Sequence, residues 1–163
     1  MAFVGKITGT SLDTIAKRLE GLKKPITRKD AEEVGDGVVT EMKNLITKGV
    51  SPIEGNGRFE GYKNPKKYPG KRKPKTPVNL TLSGDFLDAL SYSTVQSPSG
   101  YGTKIFYQGS KENKKEEGHR EGANGQKKRP TIPLNGETFA ARIQRVFAEI
   151  YNKRINILSK GGT

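Results

Sequence analysis

Apolar positions recur at three- and four-residue steps in two stretches of the first fifty residues. Leu12, Ile15, Leu19 and Leu22 form one stripe behind Ser11, which can cap a helix, and Pro25 breaks the run. A second helix is predicted from Thr27, with Asp30 three residues on completing an approximate capping box. Ala31, Val34, Val38, Met42 and Leu45 continue the helical period, and Gly49 offers a stop. Gly35 and Gly37 weaken this helix by about 1 kcal/mol each relative to Ala. Close packing against another backbone and a plain local cost explain them equally well.

Periodicity then disappears. Residues 50–78 hold five prolines and four glycines among many lysines, which predicts a long loop or arm. The chain becomes apolar again at Leu80, and Leu82 to Leu90 reads as one or two helical turns that set Leu82, Phe86, Leu87 and Leu90 against a core. Tyr92 to Gln96 and Thr103 to Tyr107 are rich in β-formers, with turn chemistry at Pro98-Ser99-Gly100-Tyr101-Gly102 between them, so a β-hairpin is predicted. Residues 109–128 read as a second polar loop. Arg129-Pro130-Thr131-Ile132-Pro133-Leu134 is an extended segment, since each proline biases its predecessor away from helix. A final helix follows, capped by Asn135, with Phe139, Ile143, Val146, Phe147 and Ile150 on its apolar face, and runs past Tyr151 toward Leu158. There is no internal repeat.

These elements predict a single α+β domain over residues 1–163. A small antiparallel β-sheet packs with N-terminal and C-terminal α-helices, and long basic loops or arms extend at 50–78 and 109–128. At 163 residues and 31% hydrophobic content the core is modest. The absence of cysteine excludes disulfides, thiolate metal sites and a thiol nucleophile. No apolar run is long enough to span a membrane, and the N-terminus lacks the apolar stretch of a secretory signal, so a cytoplasmic, soluble protein is expected. The net charge is +13, and its position matters more than its size. Residues 54–77 carry eight Lys/Arg against two Glu, and residues 110–129 carry seven against four. Such tracts favour a polyanionic neighbour, either nucleic acid or an acidic protein surface.

Candidate chemistry is sparse. His119 is the only histidine and lies in a charged, Gly-rich stretch, which points to a surface or interface position. Asp85 and Asp88 sit one turn apart; an acid/base pair or metal ligation is conceivable, but complementing a helix N-terminus explains them better. Gly100-x-Gly102 is too short for a phosphate loop and is explained by the hairpin. With no nucleophile, base or metal set, neither enzyme activity nor a cofactor is expected. Phe59, Tyr62 and Tyr68 are interleaved with Lys and Arg, a composition able to stack bases and neutralise phosphates, so stand-alone nucleic-acid binding through the basic loops is the alternative function.

Three segments, in order, resemble the tail-completion and virion-morphogenesis proteins of tailed phages, the family of head–tail joining and neck components. The helix from Ala31 to Leu45 ending in Lys48-Gly49-Val50-Ser51-Pro52 is similar to that family's early helix and its Pro-containing close. Leu80 to Leu90, with Ser83-Gly84, resembles its Leu-x-x-(Thr/Ser)-Gly-x-Leu element. His119-Arg120-Glu121-Gly122, followed by Arg129-Pro130-Thr131-Ile132-Pro133, is similar to its His-x-x-Gly and Arg-Pro-Phe-(Leu/Ile) signature, with Thr131 standing where the family has an aromatic. The match covers roughly residues 30 to 155. The resemblance implies a structural virion protein at the phage neck or tail, assembled in the host cytoplasm as a homo-oligomeric ring or in several copies. It would act as a terminator, connector or collar component against portal, connector or tail proteins. Candidate interface residues are Phe59, Tyr62, Tyr68, Arg72, His119, Arg129, Pro130, Ile132 and Leu134, with basic side chains steering acidic partners or making non-specific contact with packaged DNA.

Overall fold

The computed structural model describes residues 25–61, 78, 80, 84–122, 127–134 and 136–159. The stripe from Leu12 to Leu22, the side chain of Leu82 and the cap at Asn135 lie outside them.

Helix α1 spans Arg28–Thr47. Thr27 is its N-cap, accepting from the Asp30 N–H, while the Asp30 carboxylate accepts from the Thr27 N–H at 2.8 Å, so the capping box is complete. Gly49, at φ 74°, turns the chain after the helix. Val38, Met42, Leu45 and Ile46 face inward from α1. Helix α2 is a single turn, Asp85–Asp88, which buries Phe86 and Leu87. Strands β1, Leu90–Ser97, and β2, Gly100–Tyr107, pair antiparallel in unbroken register from Leu90 opposite Tyr107 to Ser97 opposite Gly100. The turn is therefore tighter than the sequence predicts: Pro98 and Ser99 alone connect the strands. Gly100 is required there, because a Cβ would lie 2.8 Å from the Ile26 backbone, which bridges to it.

One face of the hairpin packs on α1. Thr103 donates to the Ala31 carbonyl at 2.6 Å, and the Tyr92 ring lies where a Cβ on Gly35 would be, at 2.3 Å. Of the two readings open for the α1 glycines, close packing is the one realised.

The stretch at 109–128 departs from the predicted loop. Ser110–Glu121 forms helix α3, closed by Gly122 in the left-handed conformation at φ 73°. Its sequence is polar all round, and Glu116 is its only buried residue. No apolar stripe announces it; Lys115–Glu112 and Arg120–Glu116 pairs and the Asn113 amide, donating to the carbonyls of Tyr107 and Gly109 at 2.9 and 2.8 Å, support it instead. The expected arm at 50–78 is also fixed over residues 50–61. Ser51 N–H reaches the Gly57 carbonyl and Phe59 N–H the Gly49 carbonyl, each at 2.8 Å, and Glu54 and Pro52 are stitched to Thr138 and Ala140. Helix α4, Ala141–Ser159, closes the fold against α1, with Ile143 fully buried. None of the described helices is long and apolar enough to cross a membrane.

Candidate assembly surface

The extended segment from Arg129 to Leu134 is held by a buried polar network. Glu116 on α3 accepts from the backbone N–H of Thr131 at 3.0 Å and of Ile132 at 3.2 Å, and from the Thr131 hydroxyl at 2.5 Å. Because that hydroxyl donates to the carboxylate, Tyr107 donates to Thr131 in turn, at 2.8 Å. Thr131 is fully buried. Burial pushes the Glu116 carboxyl above its usual range, against the pull of the Thr131 and Ile132 donors and of Arg120. It pushes the Tyr107 hydroxyl up as well. Arg120 spans the next step, donating to the Ile132 carbonyl and, at 3.0 Å, to Glu137, whose carboxylate also caps the Leu134 N–H at 2.8 Å. The Leu134 N–H and Arg120 hold the Glu137 carboxyl low.

His119 lies half-buried beside this arrangement. Its ring meets Phe86 edge-on at 5.4 Å, Phe86 stacks on Tyr107 at 4.3 Å, and its Nδ1 is buried without a hydrogen-bond partner. Burial, with Arg129 and Lys115 nearby, lowers its pKa to about 4 and keeps the ring neutral. Within the chain, His119 thus packs against Phe86.

Other candidates divide in the same way. Phe59 belongs to the core, and Arg129, 2% exposed, donates to the carbonyls of Glu60 and Gly61, so both are engaged within the chain rather than presented to a partner. The Pro130 carbonyl accepts from Ser51, and Ile132 packs partly buried against the core. Tyr62, Tyr68 and Arg72 lie outside the described residues. Among the described candidates, Leu134 alone is exposed, at 58%.

Around Leu134 the structure gathers Phe139 and Phe147, which the sequence reading placed on the apolar face of the last helix; Phe139 instead precedes α4, in an isolated bridge to Ile53. Pro133, Leu134, Phe139, Gln144 and Phe147 line an open groove of about 440 Å³ with Glu137 and Thr138 at its side. Phe139 and Phe147 rings stand 6.1 Å apart, and Phe147 and Tyr151, one turn further along α4, are each more than a third exposed. The signal was in the sequence: α4 is apolar on more than one flank, and only one flank can meet α1. Such a surface offers apolar contact with a polar rim.

No family model matches the chain, and no curated protein and no solved structure matches it.

Proposed function

We propose that the protein is a structural component of a tailed-phage particle at the head–tail junction, acting by multi-subunit assembly as a tail-completion, terminator or neck component. The observation that carries this reading is the convergence of the three segments on which the phage resemblance rests. Ser51, from the close of the early helix, donates to the Pro130 carbonyl at 3.2 Å. Phe86, from the Ser-Gly element, packs on His119. The Arg129 N–H reaches the His119 carbonyl at 2.6 Å. Residues far apart in sequence and singled out only by their order thus form one structural kernel. The Thr131 departure has a local cause, because its hydroxyl links Tyr107 to Glu116.

Around that kernel the chain has the properties of an assembly subunit: an outward Leu134, exposed aromatics on α4, and a cationic surplus concentrated in one tract. Negative-stain images of particles made without the protein are expected to show separated heads and tails. Intact, infectious particles would overturn the reading.

A further inference from the structure

The described sheet has only two strands, and one of its edges is open. The Gln108 N–H bonds the Ala89 carbonyl at 2.7 Å, which fixes the alternation of the ladder: Ser91, Ser93 and Val95 exchange bonds with β2. Tyr92, Thr94 and Gln96 therefore turn their N–H and C=O groups to the outer edge of β1. The same alternation on β2 turns the Tyr101 N–H outward, where it meets the Ile26 carbonyl at 2.9 Å. Among the described residues nothing pairs with the corresponding groups of β1.

Open edges are normally blunted by charge, proline, bulges or short length. None of these devices is present: β1 is eight residues long, Leu-Ser-Tyr-Ser-Thr-Val-Gln-Ser, with no charge or proline and no break in register. A two-stranded sheet is also marginal by itself. Charge decides the occupant. DNA or an acidic partner recognised by this protein would meet lysine and arginine, and β1 offers neither. Two copies each carrying +13 repel, so contact is favoured where the surface is neutral, and an open strand edge adds backbone bonds in place of ion pairs. The outer edge of β1 offers both.

We infer that two copies of the chain join edge to edge through β1, antiparallel about a two-fold axis at Thr94. Thr94 lies opposite its counterpart and Tyr92 opposite Gln96, giving a continuous four-stranded sheet ordered β2-β1-β1-β2. The inference rests on the multi-copy reading above and names the contact by which copies pair.

Sedimentation velocity of the full chain tests it, with amide exchange of Tyr92, Thr94 and Gln96 read alongside. The wild type is expected to be a dimer with these three amides protected. Thr94→Lys, which sets two ammonium groups face to face, is expected to weaken the dimer by roughly 100-fold and release the amides. Thr94→Val keeps the backbone bonds and is expected to stay dimeric, and far-UV circular dichroism of both variants verifies the hairpin. A monomeric wild type overturns the inference, whether the amides exchange freely or are protected by another segment of the same chain. An oligomer unchanged by Thr94→Lys overturns it too, while leaving multi-copy assembly standing. Failure of the virion reading shows separately, as absence of the protein from particles.

Discussion

Glu116 is the residue on which the arrangement from Arg129 to Leu134 depends. Its carboxylate satisfies three donors away from water, so Glu116→Ala strands two backbone N–H groups and a hydroxyl. A loss of about 3 kcal/mol is expected in urea unfolding, with Thr131→Val costing about 1–2 kcal/mol because the Tyr107 hydroxyl loses its acceptor. His119 gives a pH signature. Its folded pKa of about 4 lies below the ordinary 6.5, so the unfolded chain takes up the proton first. The stability it contributes is complete above pH 6.5 and is lost as pH falls through the window down to about 4. The span corresponds to about 3 kcal/mol. Glu116 works in the opposite sense, its raised folded pKa favouring the protonated form, so the comparison must hold it fixed. His119→Phe retains a ring against Phe86 and removes the titration. Its stability is expected to fall less than the wild type's between pH 6.5 and pH 4, and parallel curves would show that the ring does not titrate there.

At the scale of elements, the two glycines of α1 separate two kinds of contact. A Cβ on Gly35 would fall within the Tyr92 ring, 2.3 to 2.6 Å from three of its atoms, and that ring is pinned between α1 and the hairpin. Gly35→Ala is expected to destabilise by about 1–3 kcal/mol, outweighing the gain in helix propensity of about 1 kcal/mol. On Gly37 the Cβ meets a Val146 methyl at 2.7 Å and the Ile150 Cδ1 at 3.4 Å rather than an aromatic ring, so Gly37→Ala is expected to cost less than Gly35→Ala, and thermal unfolding of the two variants compares them.

Legibility in the sequence followed periodicity. Helix α1 with its cap, the hairpin and helix α4 all carry apolar patterns of the right period, and all three form. Helix α3 was illegible because its stabilisation is polar: Glu116 inserts a carboxylate where an apolar stripe would normally be. The same blindness affects the site. Arg129 and His119 read as interface candidates because charge and polarity suggest exposure, while within the chain Arg129 finds the carbonyls of Glu60 and Gly61, and His119 packs beside Phe86. Phe59 read as the anchor of a loose arm because the bonds that fix residues 50–61 are backbone bonds, which leave no trace in side-chain pattern. Leu134, at the end of the proline-flanked strap, is exposed.

For the whole molecule, charge and contact fall in different stretches of the chain. The surplus of lysine and arginine is concentrated at 54–77, while the exposed apolar and neutral surfaces lie on α4, at Leu134 and along β1. Self-association through neutral surfaces has a diagnostic salt response: screening relieves the repulsion between copies at +13, so association is expected to strengthen between about 0.05 and 0.5 M salt. Assembly held by ion pairs or by bridging DNA would weaken instead. Sedimentation at the two salt concentrations distinguishes them.

Under the proposed function, this chain is built into a phage particle in several copies at the junction of head and tail. Quantitative mass spectrometry of purified particles, with peptides of this chain counted against those of the portal, tests that most directly. A fixed, multi-copy ratio to the portal, retained on isolated necks or tails, is the predicted result; particles free of the protein would contradict the account.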